Sequence, residues 1–331
     1  MSASSGAPRR PEPEWHRSDA FGLIIESDWP LAGSRPAGAE RAGGLSAAPV
    51  TRVTRADSAV FDDAWTADAE RLLEYRAPDR PGAAVSFTAD RASEHYRFWA
   101  EDFGRYLVSA DGGTVACERG AVGRERHERF VLAHALPVAA ILRGFEVLHV
   151  SAVAPGPGAT AFAGPSGTGK TRLASRLVAR GAGFLTDDVL AVKAAGGQVM
   201  AHPGPPFMTI RPDDAAMLAE VGGRLGAAAG SSDKVHVSLP ARGQATALRV
   251  IYHLHWGDSF LISPLEPGDL NRVLALSFVP YLTTPERLER HLTIAQLVSA
   301  GVAQFRLQTP AGDLSDQMLD RLEAHMRSAG A

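Results

Sequence analysis

The stretch "ATAFAGPSGTGKTRLASRLVARG" constrains this chain more than any other, because Gly164 to Thr171 fit the pattern G-x-x-x-x-G-K-[ST] in full. An apolar run that can end a strand leads into Gly164, and Lys170 opens a segment whose Leu173, Leu177 and Val178 fall on one helical face. A strand, a glycine-rich loop and a helix in that order demand a sheet with helices packed on it. Glycines at 164, 167 and 169 allow successive backbone N–H groups to turn inward around anionic oxygens, and the following helix N-terminus adds favourable partial charge. The eight residues Gly164, Pro165, Ser166, Gly167, Thr168, Gly169, Lys170 and Thr171 are therefore expected to cradle the phosphates of ATP. Lys170 would neutralise the β and γ phosphates, and the Thr171 hydroxyl would ligate Mg²⁺. The chain has only three lysines, Lys170, Lys193 and Lys234, which makes the placement of one inside this loop more informative.

The segment "FLTDDVLAV" follows, an apolar strand that delivers Asp187 and Asp188. A carboxylate at a strand end beside such a loop is placed to hold Mg²⁺, and a second could take the proton of an attacking hydroxyl. Adjacent side chains of a strand point to opposite faces, so both can serve one site only if the strand ends or bends there. The residues alone leave open which aspartate does which.

Composition excludes several classes. The formal net charge of 331 residues is -3, so no overall basic field points to nucleic acid. No apolar run reaches the roughly 18 residues of a membrane span. With Cys117 as the single cysteine, an internal disulfide and a thiolate metal cluster are ruled out, and a cytoplasmic location is expected. Residues 1–19, opening "MSASSGAPRRPEPEWHRSDA", lack an apolar core segment and read as a disordered tail.

Two domains are expected. Residues 20–140 carry short aromatic and β-branched segments, "FGLIIESDWPL", "AVSFTAD", "HYRFWAEDF", "RYLVSADGG" and "TVACERG", with "ADGG" as a hairpin cue and residues 33–49 as a loop. From about Arg126 to Phe145 the apolar spacing predicts a helix bridging the halves, with Pro137 as a kink or boundary. Residues 141–331 alternate strand and helix signals. Residues 222–233, "GGRLGAAAGSSD", read as a linker and mobile loop, and helices are expected over 266–277, 286–300 and 315–328. His253 and His255, alternating in "IYHLHWGD", read as structural because no third ligand is visible nearby.

The block "LHVSAVA...FAGPSGTGKTRLASRLVARGAGFLTDDVLAV" resembles the catalytic domain of the HPr serine kinase/phosphorylase family. More closely it resembles HPr-kinase-related proteins of peptide-modifying gene clusters, including kinases that phosphorylate lasso-peptide precursors. In those relatives the N-terminal module also begins with an "FGL...S..PL" segment, matched by Phe21, Gly22, Leu23, Ser27, Pro30 and Leu31. The resemblance implies an α/β fold, an HPr-kinase-like P-loop domain with a mixed central sheet and flanking helices, preceded by a small β-rich domain. It implies Asp188 as general base, Asp187 as Mg²⁺ partner and His149 near the transferred phosphate; the reverse assignment of the aspartates stays open. It also matches Lys234 to a mobile basic position in those kinases. The glycine-rich signature that the HPr kinases carry after their Asp-Asp strand is missing, since "HPGPPFMTIRPDD" stands there, so HPr itself is not expected as substrate. The expected activity is transfer of the ATP γ-phosphate to a serine hydroxyl of a peptide or small protein, with the N-terminal domain recognising that acceptor. A small-molecule kinase and a nucleotide-responsive binding module are the alternatives, and a homo-oligomer is left open.

Overall fold

The computed structural model describes residues 14–36, 48–66, 68–75, 84–90, 95–228, 233–240, 244–310 and 314–330. The chain opens with strands β1 (His16–Ala20), β2 (Leu23–Ser27), β3 (Arg35–Pro36) and β4 (Val50–Arg55), then helix α1 (Ser58–Thr66). Strands β5 (Glu70–Tyr75), β6 (Val85–Asp90), β7 (His95–Ala100), β8 (Gly104–Ser109) and β9 (Thr114–Arg119) follow. Among the described residues these nine strands make one sheet in the order β3-β1-β2-β4-β9-β8-β7-β6-β5. From β9 to β5 it is a meander of antiparallel hairpins, with the "ADGG" turn joining β8 to β9.

His16 to Asp19 belong to β1 and not to a tail, which corrects the expectation for residues 1–19; residues 1–13 lie outside those described. The strand carries no apolar residue before Ala20, so its signal is weak. It is held by its ladder to β2 and by the Arg35–Asp19 ion pair. The β1–β2 turn has Phe21 at φ 56° and Gly22 at φ 79°, the left-handed pair that a tight hairpin requires. A Cβ at Gly22 would stand 2.4 Å from the Phe145 ring, so only glycine fits. Helix α1 and strand β5 went unread in the sequence. In the loop expected over 33–49, Arg35–Pro36 form β3 and residues 37–47 are outside the described set.

The bridging helix is three segments: α2 (Arg124–Phe130), a π-helical turn at Val131–Ala135, and α3 (Leu136–Leu142). Pro137 sits in the first turn of α3. Its ring has no N–H to give and crowds the carbonyl four residues back, which widens the turn before it. Leu136, Val138, Ala139, Ala140 and Ile141 are buried against the N-terminal sheet together with Phe145, Val147, Val189, Ala191, Val279 and Leu282. One apolar core thus spans both halves of the chain.

The second half holds β10 (Glu146–Leu148), β11 (Val150–Ala154), β12 (Ala159–Ala163), α4 (Lys170–Ala179), β13 (Gly183–Thr186), β14 (Leu190–Ala195) and β15 (Gln198–His202). Next come β16 (Phe207–Ile210), α5 (Pro212–Glu220), β17 (Arg224–Ala228) and β18 (Val235–Ser238). The chain closes with β19 (Thr246–Trp256), β20 (Leu261–Pro264), α6 (Leu270–Leu274), α7 (Pro285–Gly301), β21 (Ala303–Thr309) and α8 (Asp316–Ala329). The central sheet runs β10-β14-β15-β19-β12-β11-β13, with β21 on β19 and β20 on β21. It is mixed: β12 and β21 lie parallel to β19, whereas β11 lies antiparallel to β12 and to β13. Every residue of β11 and β12 is buried, as their unbroken runs of small and apolar side chains require for strands covered on both faces.

Strands β16, β18 and β17 form a separate antiparallel sheet. The linker expected at 222–233 is therefore strand at Arg224–Ala228, because backbone pairing to β18 orders it despite its glycine and alanine content. Residues 229–232 fall outside those described. Glu146 on β10 and Arg287 on α7 form a buried ion pair (2.6 Å) that clamps this helix to the sheet edge. Arg287 also donates to the carbonyls of Val279 and Leu282 and to Ser277 Oγ, so its remaining N–H capacity is used. No helix among the described residues is long and apolar enough to cross a membrane.

Candidate active site

Strand β12 ends at Ala163, and the chain wraps through Gly164–Gly169 into α4. Gly164, Gly167 and Gly169 adopt φ of 151°, 88° and 93°, conformations that L side chains rarely take. A Cβ at Gly167 or Gly169 would meet nothing within 4 Å, so the loop faces open space. That space is a cavity of about 860 Å³. Lys170 is buried, and its Nζ donates to the carbonyls of Gly164 (2.8 Å) and Pro165 (3.3 Å). Burial lowers its pKa, and the charges of Asp188 and Asp187 hold it back up.

Asp187 follows the last residue of β13. Its Oδ1 accepts hydrogen bonds from Thr171 Oγ1 and Ser151 Oγ, both at 2.8 Å, and its Oδ2 accepts from the Thr209 N–H at 3.4 Å. Burial raises the Asp187 pKa, and repulsion from Asp188 raises it further, against the lowering effect of these donors. Oxygen donors from Thr171 and Asp187, around a carboxylate with no ion-pair partner within 4 Å among the described residues, fit a hard divalent cation.

Asp188 resolves the geometric problem of two adjacent carboxylates. It has φ 62°, and the Val189 N–H donates to the Asp187 carbonyl at 2.8 Å, a bond across one residue that marks a classic γ-turn. Thr186 Oγ1 donates to the Val189 carbonyl (2.6 Å) and braces the turn. The bend puts both aspartates on the cavity, Asp187 half-buried and Asp188 open to it. A non-glycine residue at positive φ costs of order 1–2 kcal/mol, a strain that clusters at functional sites.

His149 lies between β10 and β11 and lines the same cavity, with its ring edge-on to Phe278 at 5.8 Å. Burial lowers its pKa, Lys170 lowers it further and Asp188 opposes both, so it is held neutral. Lys234 also lines the cavity, exposed just ahead of β18. His253 donates to or accepts from Gln304 (3.0 Å) inside the sheet, while His255 is exposed; among the described residues no three His, Cys, Asp or Glu side chains cluster as a metal site.

The structure adds residues to this set. Ser151 is a lone hydroxyl in the apolar strand "VSAVA", which is a readable signal. Thr209 contributes a backbone N–H, which no sequence pattern reveals. His134 projects from the π-helical turn, its ring open to the cavity and packed on Phe130 (4.4 Å). Arg126 and Arg129 of α2 also line the cavity, as does Trp256 at the end of β19, which is 52% exposed.

Neither a family model nor a curated protein sequence matches this chain. Among solved structures it is similar to the HPr(Ser) kinase/phosphatase from Coxiella burnetii, at 12% identity and a TM-score of 0.29, over 55% of this chain and 95% of that one. At that level of similarity, function has to be read from this chain's own residues.

Proposed function

We propose that the chain is an ATP-dependent phosphotransferase that moves the γ-phosphate to an alcohol, a serine hydroxyl of a peptide or small protein. The observation that carries this reading is the joint placement of the phosphate loop, the Thr171–Asp187 contact and the cavity-facing Asp188 around one space. The loop's N–H groups and Lys170 bind and orient the phosphates. Thr171 and Asp187 would hold a magnesium ion, which when bound offsets phosphate charge. Asp188 takes the proton of the attacking hydroxyl. The acceptor oxygen bonds to the γ-phosphorus, the bond from that phosphorus to the β–γ bridging oxygen breaks, and ADP leaves with the electron pair. His149, kept neutral beside Lys170, can hydrogen-bond the transferred group without adding charge repulsion against the lysine.

The test is label transfer from γ-³²P ATP to a serine-containing peptide, with an alanine peptide as control and calorimetric titration of Mg·ATP alongside. Transfer to the serine peptide only is the expected result. Tight nucleotide binding with no transfer to any peptide or small alcohol would instead make the protein a nucleotide-responsive binding module.

A further inference from the structure

Resting on that phosphotransferase reading, we infer that the cavity wall around Arg126 and Arg129 is a carboxylate-binding subsite and that the acceptor is an acidic peptide. The wall is built by α2 and by the sheet of β16 and β18. Arg129 is 6% exposed, and its guanidinium lies over the Phe207 ring at 4.9 Å. Glu125 accepts from its Nε (3.3 Å) and Nη2 (3.0 Å), whereas Nη1 is buried with no hydrogen-bond partner among the described residues. Arg126 and Arg129 both line the cavity, and a carboxylate is the group that the planar fork of a guanidinium fits. Arg126, one turn earlier, packs its guanidinium over Phe103 at 5.5 Å and has no ion-pair partner among the described residues.

The position of this patch relative to the chemistry follows from the register of β16. Its burial alternates, with Met208 and Ile210 in the core and Phe207 and Thr209 turned to the cavity side. The Thr209 N–H touches Asp187, and Phe207, under the Arg129 guanidinium, is one two-residue strand step, roughly 7 Å, from Thr209 along β16. His236 bridges the two, with Nδ1 3.0 Å from Thr209 Oγ1 and its ring edge-on to Phe207. Burial pushes the His236 pKa down to about 4, with Arg129 and Arg126 lowering it and Glu125 opposing them. The whole chain carries a net charge of -3, so the basic character is local to the cavity. An acceptor with its hydroxyl at Asp188 and a carboxylate one or two residues away in extended form satisfies both ends. The cavity's volume, near the upper end of the roughly 300–1,000 Å³ of ordinary ligand sites, leaves room for a short extended segment beside the phosphates.

The experiment uses the full chain with ADP and magnesium, so that no turnover is needed, and titrates three probes: a short serine peptide flanked by aspartates, the same peptide with asparagines, and glycerol 3-phosphate. The aspartate peptide is expected to bind at least about 10-fold more tightly than the asparagine peptide. Arg126→Gln and, separately, Arg129→Gln should abolish that difference while leaving ADP affinity within about two-fold. Arg126 is half-exposed, so its variant remains informative if the Arg129 one does not fold. Equal binding of the two peptides by the wild type, or a preference for glycerol 3-phosphate over both, would overturn the proposal. If the aspartate preference holds but label transfer is never seen, the subsite stands and the phosphotransferase reading falls; transfer to both peptides alike gives the converse.

Discussion

The two walls of the cavity are built on different principles. The phosphate wall comes from one short stretch of chain, Gly164 to Asp188, in which strand, loop, helix and strand end follow each other directly. The other wall is gathered from α2, the π-helical turn, β16 and β18, elements far apart in sequence that meet only through tertiary packing, with Phe207 of β16 set against the core that joins both halves. The first wall can be described as a motif. The second exists only as a packing arrangement, and it carries the basic and aromatic groups suited to choosing an acceptor.

Removing one side of that arrangement should have the largest effect. A chain beginning at residue 141 would uncover Phe145, Val147, Val189, Val279 and Leu282, which share the core with the N-terminal sheet and α3. Burial of each such side chain is worth at most about 1.5–3 kcal/mol, so their sum rivals the usual 5–15 kcal/mol margin of a folded protein. The fragment is expected to lose cooperative thermal unfolding and ATP binding together. A fragment that melts cooperatively and binds ATP would show the two walls to be independent.

Within the phosphate wall, Asp188→Asn should lower the transfer rate about 10²- to 10³-fold with nucleotide affinity nearly unchanged. Asparagine tolerates positive φ, so the γ-turn is expected to survive, and a circular dichroism spectrum like the wild type's checks that. If Asp187→Asn spares nucleotide affinity and abolishes transfer while Asp188→Asn only raises the magnesium requirement, the two roles are exchanged. Lys170→Ala comes next, weakening Mg·ATP binding about 10²-fold in calorimetry by removing a charged phosphate partner. Unchanged affinity would mean that the loop's N–H groups suffice.

The smallest effect concerns pH. Asp187 is raised in the folded protein by burial and by Asp188, so its proton stabilises the fold. That contribution is complete below the unfolded carboxylate value of about 3.9 and is lost as pH rises through the higher folded value. In metal-free buffer, the melting temperature of Asp187→Asn minus that of the wild type should therefore grow from about pH 4 to about pH 8. A constant difference would mean that Thr171, Ser151 and the Thr209 N–H already satisfy the ionised form.

What was readable from the residues follows the same division. Strands β6 to β9 of the N-terminal meander and helices α7 and α8 announce themselves by their aromatic and β-branched residues and by 3.6-residue spacing. Strands β1 and β17 do not, because polar or small side chains give no periodic signal and backbone pairing alone orders them. Lys170, Thr171, Asp187, Asp188 and His149 were all nameable from the sequence, and the structure gathers them on one cavity. Arg129, His134 and Thr209 were not: their positions depend on a π-helical turn, a cross-strand register and a backbone N–H.

By itself the sequence determined the glycine-rich loop between β12 and α4, since glycine spacing and a helix start are local backbone requirements that a few consecutive residues satisfy. Only the tertiary structure decided that Asp187 and Asp188 share a cavity, because a strand would have sent them to opposite faces and a strained γ-turn, braced by Thr186, does not. It likewise decided what else lines that cavity. Long-range packing of α2 against β16 brings the Arg129 guanidinium onto Phe207 at the site, and contacts between residues so distant in the chain leave no periodic trace in it.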